Sequence, residues 1–374
     1  MKVLIAMGTR PEIIKFYPLI KNLKKSERII VHTGQHYDYI MSQKFLEELK
    51  LPKVDYYLNV GSGTHAEQTS KMMVGLEKII FKEKPDIVAG LGDTNTTLAT
   101  AITAVKAGVP FAHVEAGLRS YDWKMPEEIN RIVSDHISSV LFSPTKEARA
   151  NLIRENIPRK KIFITGNTIV DACSEYAKIA KKKSKIVKKL GLGEFVLATI
   201  HRAENVDDPK NLKKVYDLLS NFPTTLVFPM HPRTRKRLEK AHLLKSLEKN
   251  KKIILIDPVG YLDFLSLMMH CKFLITDSGG IQEETATLHV PCLTLRNNTE
   301  RPESLKSGSN ILVGTEPKTV LKYAKKLLKD KKLYNKMKKA KNPFGDGHTG
   351  KRIAGILRTH KFGIETSNFL KGVR

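Results

Sequence analysis

Short apolar runs alternate with amphipathic stretches along almost the whole chain. Short apolar runs between turn-forming residues are typical of buried strands, and apolar residues three and four apart are typical of helices. The runs predict two series of strands: Lys2–Met7, Ile29–Thr33, Ile87–Leu91, Phe111–Val114, Val140–Ser143 and Lys161–Thr165, then Phe195–Ile200, Thr225–Pro229, Ile253–Ile256, Phe273–Thr276, Pro291–Leu295 and Asn310–Val313. The amphipathic stretches predict helices: Pro11–Lys24, Ala66–Phe81, Thr97–Ala107, Lys146–Glu155, Leu212–Leu219, Tyr261–His270 and Pro317–Leu328. This alternation predicts an α/β protein whose parallel sheets carry helices on both faces.

Two domains are expected, because 374 residues exceed what one ordinary hydrophobic core supports. The basic, weakly apolar stretch Lys178–Lys189 lies between the two series of strands and predicts a helix at the domain boundary. We assign residues 1–168 to the first domain and 169–350 to the second. The last predicted helix, Lys351–His360 within 351–362, is expected to pack back on the first domain.

Composition narrows the class of protein. The 41% hydrophobic and 28% charged residues fit a water-soluble globular chain. No apolar run approaches the roughly 18 residues that span a membrane, and Lys2–Met7 is too short for a signal peptide. Cys173, Cys271 and Cys292 show neither the spacing of a metal site nor a disulfide framework, so a reducing, cytoplasmic setting is expected.

The formal net charge of +27 is compatible with nucleic acid, a membrane surface or an acidic ligand as partner. The lysines are dispersed, however, and dense runs such as Lys331 to Lys341 lie in helical patterns without interleaved aromatic residues. We interpret them as solvated surfaces that also attract a small anionic ligand, with neither nucleic acid nor membrane as partner.

Unusual polar residues follow the predicted strands, where open parallel sheets bind their ligands. In the first half these segments are Gly8-Thr9-Arg10-Pro11, Gly92-Asp93-Thr94 and Glu115-Ala116-Gly117. In the second half they are His201-Arg202-Ala203-Glu204-Asn205, His231-Pro232 and Ser278-Gly279-Gly280. Two such domains facing each other would form an interdomain cleft for the ligand.

Ser278-Gly279-Gly280 is predicted to be a strand-to-helix turn. A helix N-terminus offers N–H groups and partial positive charge to a phosphate, and two glycines let the backbone approach it closely. Glu284, about one turn into the helix, is placed to accept from ribose hydroxyls. The alternative is an ordinary capped helix.

Three carboxylates are candidates for proton transfer: Asp93, Glu115 and Glu127. Glu127 and its neighbour Glu128 follow Pro126 in a segment that is predicted to be irregular. Crowded carboxylates raise one another's pKa, so that one acts as an acid while another acts as a base. The alternative is helix capping by Asp93 and ion pairing by the glutamates. Three carboxylates in matching topological positions favour proton transfer.

Basic residues complete the candidate site. His201, directly after a strand, can donate to a phosphate leaving group. Arg10, at the start of a helix, can bind a phosphate bidentately, and Lys15 lies on the same helix. Each could also be a surface charge, and His231 is predicted to be structural.

Four common site motifs are missing from the sequence. No Gly-x-Gly-x-x-Gly opens a strand-helix unit, which argues against a nicotinamide cofactor. A P-loop, a His/Cys/Asp cluster with zinc spacing and a Gly-x-Ser-x-Gly nucleophile elbow are missing as well. We therefore expect neither cofactor nor metal.

The motifs together resemble one family, the non-hydrolysing UDP-N-acetylglucosamine 2-epimerases. The matching stretches occur in the family's order over nearly the whole chain: GTRPEIIK from Gly8, TGQH from Thr33, GDTNTTLA from Gly92, HVEAGLRS from His113, PEEINR from Pro126, TGNTIVD from Thr165, TIHRAEN from Thr199, TDSGGIQEE from Thr276 and ERPE from Glu300. The resemblance implies two Rossmann-like doubly wound domains facing a cleft, as in the GT-B fold, and a homodimer. It also implies inversion of the sugar at C2, giving UDP-N-acetylmannosamine.

The resemblance assigns roles to residues. It matches Asp93, Glu115, Glu127 and His201 to the catalytic positions. It matches the following residues to positions that contact the UDP-sugar: Arg10 and Lys15 on the phosphate side, Phe264 at the uracil, Ser278, Gly279 and Gly280 at the diphosphate, Glu284 at the ribose, and Arg301 at a further contact.

The chain departs from the family at one place. Bacterial members bind a second UDP-N-acetylglucosamine as an activator, and Gln35 and His36 match that pocket. Tyr37-Asp38 follows instead of the family's residues, and the nearby arginine has no clear counterpart between Asn59 and Gly75. We expect a weaker dependence on substrate as activator. The alternatives for the function as a whole are a GT-B glycosyltransferase, a hydrolysing epimerase and a basic nucleic-acid-binding protein.

Overall fold

The structure, a computed structural model, describes residues 1–34, 49, 51–360 and 362. They form two compact units, one from the described residues of Met1–Ala172 and Gly345–Arg374 and the other from Cys173–Phe344. Each unit contains one parallel sheet with helices packed around it. Within the described residues, no helix combines the length and apolarity needed to cross a membrane.

The first unit is built on a seven-stranded sheet in the order β3-β2-β1-β4-β5-β6-β7. Its strands are β1 (Val3–Met7), β2 (Arg28–His32), β3 (Tyr56–Tyr57), β4 (Ile87–Leu91), β5 (Phe111–Val114), β6 (Val140–Ser143) and β7 (Ile162–Ile164). Its helices are α1 (Arg10–Asn22), α2 (His65–Glu83), α3 (Asn95–Lys106), α4 (Pro126–Ile137) and α5 (Lys146–Arg154), with 3₁₀ turns at Lys25–Glu27 and Arg159–Lys161. β1, β4, β5 and β6 are buried at every position, as expected for parallel strands covered on both faces.

The second unit is built on a six-stranded sheet in the order β10-β9-β8-β11-β12-β13. Its strands are β8 (Val196–Thr199), β9 (Leu226–Pro229), β10 (Ile253–Ile256), β11 (Leu274–Thr276), β12 (Cys292–Thr294) and β13 (Asn310–Leu312). The helices from α6 onward are α6 (Thr168–Lys183), which begins in the first unit, α7 (Ile186–Lys189), α8 (Ala203–Val206), α9 (Pro209–Ser220), α10 (Pro232–Lys240), α11 (Leu244–Glu248), α12 (Tyr261–His270), α13 (Gly279–Leu288), α14 (Pro302–Ser307), α15 (Pro317–Lys329) and α16 (Lys331–Lys338).

The last helix, α17 (Thr349–Thr359), belongs to the first unit and packs against α1. The two helices touch closely, because a Cβ on Gly350 would overlap the backbone carbonyl of Pro18. Arg358 donates from Nε and Nη2 to the carboxylate of Glu27 at 2.9 and 2.8 Å. Arg352 binds Asp346 and donates to the carbonyl of Thr165 at 3.1 Å. Packing and charge together hold this helix in the first unit.

The predicted fold class is confirmed: both sheets are parallel and doubly wound. Three details are wrong. The segment around Glu127 and Glu128 is not irregular but is the first turn of α4, and Pro126 occupies the first helical position that suits proline. The two-residue strand β3 is too short to leave an apolar pattern. The single helix predicted over Lys178–Lys189 is two helices, α6 and α7.

Candidate active site

In the first unit, the candidate residues lie where the sheet order changes direction. β1 and β4 are neighbours in the sheet but not in sequence, so the connections that follow them run to opposite sides. Such a switch point leaves a crevice at the carboxyl ends of the strands, and it is where open α/β sheets bind ligands. Arg10 begins α1 after β1, and Asp93 follows β4. The strand order of the sheet therefore determines where the candidate site lies.

Asp93 is half-buried, and its neighbours hold its backbone and side chain. Its carboxylate Oδ2 accepts from Arg131, and its carbonyl accepts from the Nδ2 of Asn130 at 2.9 Å. Thr94, not Asp93, caps α3, since the Thr94 hydroxyl accepts from the Thr97 N–H at 3.2 Å. The capping alternative for Asp93 is therefore wrong, since its carboxylate pairs with Arg131 instead.

Glu115 follows β5 and pairs with Lys15. The Lys15 Nζ lies 2.8 and 2.6 Å from Oε1 and Oε2 of Glu115, and both residues are less than a tenth exposed. Glu115 has a φ of +69°, a left-handed conformation that costs a non-glycine residue about 1–3 kcal/mol and clusters at functional sites. Its Oε1 lies 4.0 Å from where a Cβ on Gly92 would be. The carboxylate of Glu115 therefore borders the turn that carries Asp93.

Lys15 was expected on the phosphate side of the ligand, and the structure places its Nζ on Glu115. An ion pair in a site with little water holds the carboxylate in one rotamer. Removing one partner of such a pair typically costs about 3–5 kcal/mol, because the other charge is left buried alone. Lys15 therefore fixes the orientation of the Glu115 carboxylate.

Glu127 and Glu128 differ in their surroundings, although they are adjacent in sequence. Glu128 is buried, and its carboxylate accepts from the backbone N–H groups of Ser120 and Tyr121 and pairs with Arg131. Glu127 is exposed in the first turn of α4. Glu128 thus holds the loop before α4, whereas Glu127 keeps a carboxylate accessible to a ligand.

The turn after β1 is held by Glu12, which the sequence analysis did not single out. Its Oε2 accepts from the N–H groups of Gly8 and Thr9 at 2.9 and 2.8 Å, and its Oε1 accepts from the Thr94 hydroxyl at 2.6 Å. Burial raises the pKa of Glu12 and outweighs these hydrogen bonds, which lower it. Glu12 therefore joins the turn that carries Arg10, which is exposed, to the turn after Asp93.

In the second unit, β8 and β11 form the corresponding switch point. His201 follows β8, and its side chain is 35% exposed. Its ring stacks on His231 with 5.3 Å between centroids. His231 has the structural role predicted for it, since it caps α10 by accepting from the Arg233 N–H. The imidazole of His201 is therefore oriented by a stacked neighbour while part of it remains accessible.

Asp277 anchors the loop that carries His201, and sequence reasoning missed it. Its carboxylate is fully buried and accepts from the N–H groups of His201 and Arg202 at 3.0 and 2.9 Å, and from Asn205 Nδ2 at 3.0 Å. The signal available in the sequence was its position, directly after β11 and directly before Ser278. It joins the loop after β8 to the turn after β11.

Ser278-Gly279-Gly280 is the predicted turn from β11 into α13. Ser278 makes no capping hydrogen bond with its side chain, so no cap from Ser278 covers the first N–H groups of the helix. A Cβ on Gly279 would collide with the Arg301 guanidinium, while Gly280 has nothing within 4 Å of that position. The two glycines therefore serve different purposes: one admits Arg301 and the other leaves open space.

Arg301 is buried beside this turn, with its Nε 2.8 Å from Glu283 Oε1. Glu284, the predicted ribose ligand, is also buried, and its Oε1 accepts from the Tyr261 hydroxyl at 2.9 Å. Burial and then the charge of Glu284 raise the pKa of Tyr261, so the hydroxyl remains a donor. Phe264, the predicted uracil contact, lies on the same helix as Tyr261 and is partly buried.

The residues predicted for the activator pocket, Gln35 and His36, lie outside the described residues. No group of three or more His, Cys, Asp or Glu side chains that could hold a metal ion occurs within the part of the chain that the structure describes.

Comparison with known proteins agrees with the geometry. The profile of the UDP-N-acetylglucosamine 2-epimerase family matches residues 20–358. The UDP-N-acetylglucosamine 2-epimerase of Methanocaldococcus jannaschii is 49% identical over 372 residues, covering 97% of this chain and all of the relative. The UDP-2,3-diacetamido-2,3-dideoxy-D-glucuronate 2-epimerase of Pseudomonas aeruginosa is 40% identical over 370 residues, covering 96% of this chain and 99% of the relative. The crystal structure of the M. jannaschii enzyme in complex with UDP-GlcNAc and UDP covers 96% of this chain and all of its own, at 49% identity and a TM-score of 0.89. The chain belongs to the UDP-N-acetylglucosamine 2-epimerase family.

Proposed function

We propose that the protein catalyses the reversible epimerisation of UDP-N-acetylglucosamine at C2, giving UDP-N-acetylmannosamine. The M. jannaschii relative is named for this activity, and its crystal structure contains UDP-GlcNAc and UDP. The observation that carries the proposal is the placement of Asp93 and Glu115 after the paired strands β4 and β5, each with a cationic side chain on its carboxylate. Carboxylates held this way suit proton transfer at a sugar carbon.

The reaction proceeds by elimination and re-addition of UDP. The C2 hydrogen is not acidic enough for simple removal, because no carbonyl lies on the neighbouring ring carbon. A base removes the C2 proton, the C2–H electrons form the C1=C2 double bond, and UDP leaves from C1 with the electrons of the C1–O bond. The intermediate is 2-acetamidoglucal. UDP then adds back to C1, and an acid protonates C2 on the other face. Asp93, Glu115 and Glu127 supply the base and the acid.

The leaving UDP carries negative charge, which must be stabilised as the C1–O bond breaks. The N-terminus of α13, without a side-chain cap from Ser278, offers N–H groups to the diphosphate. His201 donates a proton or hydrogen bond to the phosphate oxygen, and Arg10 and Arg301 add positive charge. Glu284, held by Tyr261, accepts from the ribose hydroxyls, and Phe264 contacts the uracil.

A second candidate substrate comes from the P. aeruginosa relative. That protein is named for UDP-2,3-diacetamido-2,3-dideoxy-D-glucuronate and is 40% identical. The same elimination applies to its sugar, since the chemistry at C1 and C2 does not change. The two substrates differ at C3 and C6, so a comparison of kcat/KM for the two separates the candidates.

The test is turnover in deuterated water with each UDP-sugar and no acceptor, followed by NMR and mass spectrometry. Elimination exchanges the C2 proton through carboxylates in contact with solvent, so we expect deuterium at C2 of the epimerised product. Prolonged incubation should release a little 2-acetamidoglucal and UDP. Epimerised product without deuterium at C2 would refute this mechanism.

The rival activities give different products in the same experiment. A glycosyltransferase leaves C2 protonated and unchanged without an acceptor. A hydrolysing epimerase gives free N-acetylmannosamine and UDP as its main products. An Asp86→Asn variant is the matched control for Asp93→Asn, because Asp86 is an exposed aspartate at the other end of β4 from Asp93.

A further inference from the structure

His113, in the middle of β5, has acceptors at both ring nitrogens. The residue is fully buried. Its Nδ1 lies 2.6 Å from Oδ1 of Asp135, and its Nε2 lies 2.8 Å from the carbonyl oxygen of Gly92. A neutral imidazole has one N–H and cannot donate to two acceptors. Both contacts are satisfied only when both nitrogens carry a proton, that is, when the ring is an imidazolium.

The groups around the ring favour this charge. Asp135 is ionised, because its Oδ2 accepts from the Gly117 N–H at 3.1 Å and pairs with Arg119 Nη1 at 2.8 Å. Burial acts to raise the pKa of Asp135, but the charges and hydrogen bonds of His113 and Arg119 outweigh it and leave that pKa below its usual value. Arg119 in turn binds the carboxylate of Glu155 at 2.7 and 2.6 Å. With a charged His113, the network holds two cations, His113 and Arg119, and two anions, the buried Asp135 and the partly exposed Glu155.

The Gly92 carbonyl that receives the second N–H immediately precedes Asp93. Gly92 has a φ of +73°, so the turn has left-handed geometry at this point. Two side chains therefore hold successive carbonyls of the turn: His113 holds that of Gly92, and Asn130 holds that of Asp93. A charged donor makes a hydrogen bond roughly twice as strong as a neutral one. Asp93 is thus attached to a rigid, buried network rather than to a free loop.

We propose that His113 is held as an imidazolium and acts as a positioning residue, which fixes the Gly92 carbonyl and thereby orients the Asp93 carboxylate. The proposal rests on the proposed proton-transfer role of Asp93. His113 itself does not touch the substrate, because it is fully buried beneath the turn. The rival interpretation is a histidine that only stabilises the fold.

Neutron diffraction tests the charge state without a variant and without activity. Crystals of the perdeuterated full-length protein are grown at about pH 8, which is well above the ordinary histidine pKa of about 6.5. We expect deuterium on both nitrogens of His113. Deuterium on one nitrogen alone would overturn the proposal, whatever the enzyme's activity. His136, exposed on α4, is the site of the control variant below.

Two variants test the positioning. In His113→Gln, the amide can reach the Gly92 carbonyl in place of Nε2. In His113→Asn, the amide takes the place of Nδ1 and reaches Asp135 only. We expect His113→Asn to lower kcat per folded molecule by about 10- to 100-fold with KM within about threefold, since a misplacement of about 1 Å costs as much as 100-fold. His113→Gln should retain clearly more of kcat, and His136→Asn should match the wild type.

The outcomes are distinct. Equal kcat per folded molecule in wild type, His113→Asn and His113→Gln would show that His113 only stabilises the fold. Equal losses in both variants would contradict action through the Gly92 carbonyl. If the wild type itself does not epimerise a UDP-sugar, the proposed function fails, while the neutron result still decides the charge of His113.

Discussion

The two units share a sheet topology but use their switch points differently. At the switch point of the first unit, a side chain of the protein occupies the N-terminus of α1, because the Glu12 carboxylate accepts from the N–H groups of Gly8 and Thr9. At the second, the N-terminus of α13 has no side-chain cap from Ser278. The buried carboxylate there, Asp277, instead binds the loop after β8. In the proposed function, the switch point of the first unit carries the proton-transferring carboxylates and that of the second unit binds the diphosphate.

The charged side chains near the two switch points differ in the same way. In the first unit, Arg131 and Lys15 neutralise carboxylates that face the turn after β4. In the second, Arg301 lies against Gly279, the first residue of α13, where positive charge favours a phosphate. The comparison teaches that topology supplies the place for a site, and that a few side chains decide its chemistry.

The largest expected effect is on proton transfer in the first unit. Asp93→Asn keeps the size of the side chain and some hydrogen bonding, but the amide cannot accept the proton. We expect kcat to fall by about 1,000-fold or more, with UDP affinity and thermal stability close to wild type. Steady-state kinetics and calorimetric titration with UDP measure this, with Asp86→Asn as the control. A kcat within tenfold of wild type would remove Asp93 from the mechanism.

The next effect concerns the anion site in the second unit. An alanine at Gly280 meets no protein atom within 4 Å, so the fold should tolerate Gly280→Ala. In the proposed function, the added methyl group lies where the diphosphate approaches the N-terminus of α13. We expect UDP to bind about 10- to 100-fold more weakly, the cost of about one or two disturbed hydrogen bonds to a charged group. Unchanged UDP affinity would show that the diphosphate binds elsewhere, and Gly355→Ala on α17 is the control.

A third prediction concerns the packing of α17 against α1 in the first unit. Gly350 and Gly355 lie on the same helix, but only Gly350 touches α1, at the carbonyl of Pro18. Gly350→Ala should destabilise the protein by about 1–3 kcal/mol through overpacking. Gly355→Ala, with open space around it, should be neutral or stabilise the protein by up to about 1 kcal/mol. Denaturant unfolding measures both, and equal effects would contradict the close contact between the helices.

The smallest expected effect is the response of α17 to acid. Arg358 and its hydrogen bonds lower the pKa of Glu27 to about 2, and Arg352 likewise lowers that of Asp346 to about 2. A carboxyl whose pKa is lowered in the folded state stabilises that state above its unfolded pKa, here about 4. This contribution is lost as the pH falls from about 4 toward about 2.

Hydrogen exchange in α17 should therefore speed up slightly over that window, relative to α13 in the second unit. Glu27→Gln should show a smaller change with pH than the wild type, since one of the two titrating carboxyls is gone. The effect is modest because Glu27 and Asp346 lie near the surface, where solvent screens the ion pairs. An acid response in α17 that is identical in wild type and Glu27→Gln would rule out the Glu27 pair as its source.

Much of the architecture could be predicted from local pattern. Every predicted strand is present, and β4, β5, β6 and β10 have the predicted bounds. For β4, β5 and β6 the reason is that buried parallel strands leave continuous apolar runs. The helix α4 was not predicted, although Pro126 followed by two glutamates is a helix-start signal. The turn at Ser278 was correctly located between β11 and α13.

The sequence by itself determined the order of the elements, the fold class and which chemical groups follow each strand, since these depend on residues near one another in the chain. Only the tertiary structure decided which of those groups meet. Lys15 and Glu115 are 100 residues apart, and Asp277 and His201 are 76 apart. Such pairs are brought together by the strand order, which local periodicity does not encode. The physical reason is that a buried charge is stabilised by whatever partner the folded sheet places beside it, near or far in sequence.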